Sequence, residues 1–217
     1  TNTTHGSAYT YFNNHNMYGK YSAVRDYEKS PLTQQYTRTF GGTLGGAIVK
    51  DKLFYFVSAE SKKESYPSSV YPGYTSEYIT PDVAAQIANQ YKKLTGFDEA
   101  YGQRNVDQKS FGLLARIDWN INKDHKLALR YQHNDSYDDN YSPGTYSYVF
   151  NNSGYRMNNK TNSIVAELNS HLGQNLYNEF RASASFIRDH RDVAYQGPTV
   201  QISNILGGDG STKITGN

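Results

Sequence analysis

The sequence contains no cysteine, which excludes disulfide scaffolds, thiolate metal sites and cysteine nucleophiles. It also lacks long hydrophobic runs: the longest wholly apolar stretch, residues 53–57, is far too short for a transmembrane helix. Leu, Ile, Val and Phe make up only about 19% of the chain, a level typical of disordered proteins. The net charge is only +2 and no dense basic cluster is present, so nucleic-acid binding is not indicated.

Aromatic residues are abundant by contrast. The chain has 21 Tyr, 9 Phe and one Trp, whereas disordered chains have few aromatic residues. Aromatic side chains suit a pleated, half-exposed sheet, where one end of the ring meets an apolar surface. The composition therefore predicts an all-β protein with amphipathic surfaces.

Three short turn segments organise the sequence, at residues 50–52, 122–125 and 171–175, and their residue types suit tight hairpin connections. Each segment lies between two stretches in which apolar and polar residues alternate. Before the second turn, every second residue from Phe111 to Ile121 is apolar, and Arg116 and Asp118 lie between them. This period of two predicts seven strands, at about residues 4–12, 38–49, 53–64, 109–121, 126–136, 160–170 and 175–189.

The remaining connections are long and rich in Tyr, Asn, Ser, Asp and Gly. One of them predicts a short loop helix over residues 81–95. Thr80 is a suitable N-cap, Pro81 suits the first helical position, and Gly96 suits the C-terminal stop.

Tight turns therefore alternate with long loops, which compact soluble domains seldom contain. Outer-membrane barrels show this alternation, with short periplasmic turns and long extracellular loops. We therefore predict a transmembrane antiparallel β-barrel segment whose apolar face meets lipid. Its other face would line the lumen, with these candidate residues: Glu60, Arg116, Asp118, Arg130, Glu167, Glu179 and Arg181. The alternative is a soluble β-sandwich or secreted β-domain that buries its apolar faces against each other.

Tyrosines in the long loops are candidates for contacts with a surface ligand or partner protein, because aromatic side chains form adaptable binding surfaces. The alternative is that the loops pack on one another into a cap. These candidates are Tyr71, Tyr74, Tyr78, Tyr141, Tyr146 and Tyr148.

Asp135, Asp138 and Asp139 form an oxygen-rich group that could bind calcium, although the spacing lacks the glycine and distal glutamate of an EF-hand. A solvated acidic loop is the alternative. The sequence has no nucleophile elbow and no pair of histidines at zinc-protease spacing. We therefore expect a protein that is not an enzyme and has no cofactor.

Three segments resemble a known family. Residues 37–60, TRTFGGTLGGAIVKDKLFYFVSAE, resemble the early barrel hairpin of TonB-dependent outer-membrane receptors of the Oar-like branch, common in Bacteroidota. Residues 1–14, TNTTHGSAYTYFNN, are similar to the first barrel strand of that branch. Residues 115–135, ARIDWNINKDHKLALRYQHND, are similar to a later hairpin of the same barrels.

The resemblance implies a 22-stranded barrel that is filled by an N-terminal plug and imports a ligand with TonB-transduced energy. Residues 1–217 would be the N-terminal part of the barrel domain, with the plug domain and the remaining strands absent. The implied partners are the outer-membrane bilayer, the TonB complex through the absent regions, and surface proteins. The alternatives are a non-transporting barrel that scaffolds a surface complex, and a secreted β-rich adhesin or carbohydrate-binding domain.

Overall fold

A computed structural model of the chain describes residues 2–18, 34–68, 71–72, 79–141, 147–150, 153–193, 197–203 and 213–216. The elements in chain order are β1 (His5–Asn14), a 3-10 helix (His15–Met17), β2 (Tyr36–Val49), β3 (Leu53–Pro67), α1 (Pro81–Thr95), β4 (Asn105–Asn120), β5 (His125–Asn140), β6 (Ser147–Val149), β7 (Tyr155–Leu172), β8 (Leu176–Val193), β9 (Val200–Ser203) and β10 (Lys213–Gly216).

Seven long strands form one antiparallel sheet in the order β1-β2-β3-β4-β5-β7-β8, so each strand pairs with the one before it in the meander. Within the described residues, no strand pairs with the outer edge of β1 or of β8. The prediction of seven antiparallel strands and one loop helix is confirmed. The three short strands form a second sheet in the order β10-β9-β6, which the alternation pattern did not predict.

The tight turns lie at one end of the long sheet. In the first, Asp51 adopts a left-handed backbone with φ 61°, a conformation that Asp tolerates better than most residues. In the second, the Asn122 side-chain oxygen accepts the backbone N–H groups of Asp124 and His125, both at 2.9 Å. The long connections, including α1, leave from the opposite end of the sheet.

The strand register places most apolar side chains on one face, because residues directly opposite each other point to the same side. Phe54 and Phe56 are exceptions, since they stand opposite Asp118 and Arg116 on the other face. One row crosses five strands through Val57, Ala115, Tyr131, Ile164 and Ala184. Adjacent rows on this face contain Leu53, Tyr55, Ala59, Phe111, Leu113, Ile117, Trp119, Leu127, Leu129, Ala166, Leu168, Phe180, Ala182 and Phe186. We call this surface the apolar face, and the opposite one the polar face.

The apolar face is exposed rather than packed against a second layer. Ile164 is 51%, Phe180 59% and Phe186 68% exposed. A soluble β-sandwich would bury these side chains between two sheets. The sheet therefore presents a broad hydrophobic surface of the kind that hydrocarbon chains cover in a barrel wall.

Within the described residues, no helix is long and apolar enough to cross a membrane.

A tyrosine bridge on the polar face joins the first three strands. The Tyr9 hydroxyl on β1 donates a hydrogen bond to Glu60 Oε2 on β3, at 2.7 Å. Gly41 on β2 lies between them, opposite both Tyr9 and Glu60. A Cβ atom at Gly41 would lie 2.2 Å from Cζ of Tyr9, so only glycine lets the ring cross the middle strand.

We predict that Gly41→Ala displaces the Tyr9 ring and breaks its hydrogen bond to Glu60, lowering the free energy of unfolding by about 1–3 kcal/mol. Urea unfolding of the intact protein in detergent or lipid would measure the loss. Gly112→Ala is the matched control, because a Cβ there would meet only Asn134 Oδ1, at 3.4 Å. Equal unfolding midpoints for the two variants would contradict the structural role of Gly41.

Candidate functional site

The seven charged residues predicted to face the lumen all lie on the polar face. Arg116 stands directly opposite Arg130, and Glu167 stands directly opposite Arg181. Asp118 lies opposite Ala128 and is two residues from Arg116, so it shares that side of the sheet. Glu60 and Glu179 lie opposite Gly112 and Asn169 on the same face.

Ion pairs offset part of the charge on the polar face. The Arg116 guanidinium contacts both Asp118 oxygens, with Nη2–Oδ1 at 2.7 Å and Nε–Oδ2 at 2.8 Å. Arg181 Nη2 lies 3.4 Å from Glu167 Oε2 on the neighbouring strand. The side chains of both pairs remain partly exposed, and such pairs contribute at most about 1 kcal/mol each. The polar face is therefore a hydrated, charge-bearing wall suited to contact with water or a polar ligand.

A folded region lies beyond the sheet at the end with the long connections. We call residues 79–95, 147–150 and 197–203 the loop cap. Its core joins Ile79, Ala88, Phe150 and Ile202, and both Phe150 and Ile202 are fully buried. These residues come from three separate segments, so the described parts of these segments pack on one another instead of projecting singly.

Helix α1 supplies one side of the loop cap. The Thr80 hydroxyl accepts the Val83 N–H at 3.3 Å at its N-terminus. Gly96, with φ 79°, ends the helix and donates its N–H to the Lys92 carbonyl at 2.8 Å. The Tyr91 hydroxyl donates to the Pro198 carbonyl at 2.8 Å, which fixes the helix to the segment that follows β8.

An ion pair with a buried carboxylate marks the part of the sheet next to the loop cap. The Asp139 carboxylate is only 5% exposed, and its oxygens lie 2.6 Å from Nε and 3.1 Å from Nη2 of Arg156. The Asp107 N–H also donates to Asp139, at 3.4 Å. The Arg156 guanidinium lies over the Tyr137 ring, 4.0 Å from its centroid. These contacts join β4, β5 and β7 where the strands enter the long connections.

Tyr141, one of the predicted loop contacts, is packed into this region. Its ring lies under the Arg104 guanidinium, with 3.8 Å between Cζ and the ring centroid. The other side of the ring lies against Gly154, where a Cβ atom would come within 1.9 Å of a ring carbon. Burial, with a smaller effect of the Asp139 carboxylate, raises the pKa of the Tyr141 phenol. Tyr141 therefore stabilises the loop arrangement through its ring and presents only part of its surface to solvent.

The other predicted loop tyrosines have different placements. Tyr71 is described and is half-buried. Tyr148 lies in β6, where only the strand is described. Tyr74, Tyr78 and Tyr146 lie outside the described residues.

The three candidate calcium ligands do not converge. Asp135 lies opposite Lys160 on the extension of the apolar face, whereas Asp138 lies opposite Met157 on the polar face. Asp135 pairs with Lys160 at 3.7 Å, and Asp139 pairs with Arg156. In the part of the chain that the structure describes, no group of three or more His, Asp or Glu side chains is arranged to hold a metal ion.

Four residues of this region were not among the sequence-based candidates: Arg104, Phe150, Arg156 and Ile202. Phe150 ends the short apolar run 148–150, and Ile202 stands between two polar residues, Gln201 and Ser203, so the local sequence gives only a weak signal for a shared core. Arg156 becomes interpretable only once the register places it beside Asp139.

The chain was compared with known protein families. Residues 1–72, about one third of the chain, match the family described as "Outer membrane beta barrel domain". Comparisons with curated proteins and with solved structures found no match. The matched residues comprise β1, β2 and β3, the first hairpins of the meander. The match and the seven-stranded antiparallel sheet together support an outer-membrane β-barrel protein.

We predict that Phe150→Ala loosens the loop cap, because it leaves a cavity where a fully buried ring packs, at a cost of about 3–5 kcal/mol. Hydrogen–deuterium exchange of the intact protein should then show faster exchange in α1, with β4 and β5 unchanged. Leu94→Ala is the matched control within α1, since Leu94 is 78% exposed. If α1 exchanges equally in both variants, Phe150 does not hold the cap together.

Proposed function

We propose that this protein is a TonB-dependent outer-membrane receptor that binds a ligand at the cell surface and imports it with TonB-transduced energy. The observation that carries the proposal is the division of one sheet into two faces. The apolar face is exposed for contact with lipid, and the polar face carries seven charged candidates for contact with a passing ligand. No covalent chemistry is part of this proposal.

The long connections would face the cell exterior in this proposal. Outer-membrane barrels have short periplasmic turns and longer extracellular loops. In this sheet the short turns lie at one end and the long connections at the other. Strands β4 and β5 have 16 residues, and β7 and β8 have 18, whereas about 9–11 residues cross a bilayer. The surplus residues would lift the loop cap above the membrane, where a ligand would first bind.

The transport step is supported by the resemblance of residues 37–60 to the early hairpin of TonB-dependent receptors, within the region that matches the barrel family. A receptor of this kind needs a plug and a segment that contacts TonB. We propose that both belong to the same polypeptide and that the seven strands are one part of a larger wall.

A second candidate function is a non-transporting barrel that scaffolds a surface complex. It is favoured by exposed apolar residues at the end of α1, where Leu94 is 78%, Phe97 51% and Tyr101 40% exposed. Clusters of this kind often mark protein contacts. A secreted adhesin or carbohydrate-binding domain is less favoured, because it would leave the wide apolar face in water.

The test uses the purified periplasmic domain of TonB as the probe. We expect that the immobilised domain retains the intact protein extracted in detergent, and that retention persists when the loop cap is loosened by Phe150→Ala. A scaffold would instead co-purify with surface proteins and pass through the TonB resin. Failure of the intact, folded protein to bind the TonB domain would contradict the transport proposal.

A further inference from the structure

A row of three cations crosses the outward side of the sheet just beyond the apolar face. Arg38 on β2 stands directly opposite Lys63 on β3, and Lys63 stands directly opposite Lys109 on β4. Neighbouring strands lie about 4.8 Å apart, so the three backbone positions span about 10 Å. We call these residues the cationic row.

Like charges directly opposite each other destabilise a sheet, so such a row needs an explanation. All three side chains are exposed, and none has a carboxylate within 4 Å among the described residues. Three acidic residues adjoin the row on this side of the sheet. Asp107 lies two residues before Lys109, whereas Asp135 already pairs with Lys160 at 3.7 Å and Asp139 with Arg156 at 2.6 Å.

Aromatic rings contact two of the three cations, Arg38 and Lys63, at the edge of the apolar face. The Arg38 Cζ atom lies 4.9 Å from the Tyr36 ring centroid and 5.6 Å from that of Phe12. The Lys63 Nζ atom lies 5.9 Å from the Tyr36 centroid. The next row toward the turns contains Phe40, Ser61 and Phe111, and Phe40 is 60% exposed. Away from the turns, the side chains thus change from apolar, to the row with Phe40 and Phe111, to cationic. A bilayer changes in the same order, from its hydrocarbon core through the interface to the headgroups.

From this arrangement we infer that the cationic row binds the phosphate groups of a phosphorylated glycolipid in the outer leaflet of the outer membrane. Guanidinium and ammonium groups are the side chains that bind phosphate, and three of them side by side suit a headgroup with two phosphates. The acyl chains would extend along the apolar face below Phe40 and Phe111. The inference rests on the proposed orientation, with the long connections outward, and does not depend on transport.

The neighbouring residue Lys62 provides a matched control. Its side chain points to the polar face, whereas that of Lys63 points to the other side. In the register Lys62 is paired with Thr39 and Ser110, and its side chain forms an ion pair with Glu64 at 2.9 Å. Lys62→Gln and Lys63→Gln therefore remove the same charge from adjacent positions, but only Lys63 belongs to the cationic row.

The experiment titrates the intact protein in detergent with purified bisphosphorylated lipid A and counts bound lipid by native mass spectrometry. We expect Lys63→Gln to raise the half-saturating concentration about 5-fold and the triple variant R38Q/K63Q/K109Q about 100-fold. Lys62→Gln should bind as the unaltered protein does. The variant R38K/K63R/K109R, which keeps all three charges, should retain binding and shows whether charge or side-chain shape is needed.

Two further arms separate the sources of phosphate. Lipid A that lacks its phosphates should bind more weakly to the unaltered protein and should not distinguish it from the triple variant. Inorganic phosphate at the same concentration should not displace the lipid. Equal binding of bisphosphorylated lipid A to the unaltered protein, Lys62→Gln and Lys63→Gln would overturn the inference, as would displacement by free phosphate. If the triple variant does not assemble, the comparison of the two single variants decides the question.

Discussion

The structure depends on lateral backbone hydrogen bonding between strands that have no core behind them. Each inner strand of the seven-stranded meander has a partner on both sides, so its N–H and C=O groups are satisfied within the sheet. Side chains are then free to face two different solvents. The exposed aliphatic and aromatic residues on one side and the charged residues on the other follow from this arrangement, and water on both sides would make it unfavourable.

The same strands cross from one environment into another. From the turns to the middle of the sheet, one side carries the apolar face, on which Ile117 stands opposite Leu129. Beyond Phe111 charged residues occupy the same side of the sheet, where the buried Asp139 carboxylate pairs with the partly exposed Arg156. The apolar face therefore has a defined edge. Past this edge lies the loop cap, where residues from three segments distant in sequence share one small core.

Most strands could be predicted because a period of two is a local signal, and it is nearly unbroken in the hairpin of β4 and β5. In β3 the alternation is mixed, because Phe54 and Phe56 lie on the polar face. The helix could also be predicted, since Thr80, Pro81 and Gly96 supply its start and stop within a few residues. The loop cap could not, because Phe150 and Ile202 become neighbours only after the sheet has aligned connections that are distant in sequence. Expecting β5 to end near residue 136 also made Asp135, Asp138 and Asp139 look like one loop cluster. Pairing with β7 extends β5 to Asn140. Because side chains alternate along a strand, Asp138 lies on the face opposite to Asp135 and Asp139.

Contact between the apolar face and lipid is directly measurable, because this sequence contains no cysteine and single cysteines can be introduced for labelling. Spin labels placed singly at positions 112 to 117 of the intact protein in a bilayer would report access to oxygen, which concentrates in lipid, and to a water-soluble nickel chelate. The account predicts alternation, with oxygen access high at Leu113, Ala115 and Ile117 and nickel access high at Gly112, Leu114 and Arg116. Uniform nickel access at all six positions would contradict it, because both faces of the sheet would then be in water.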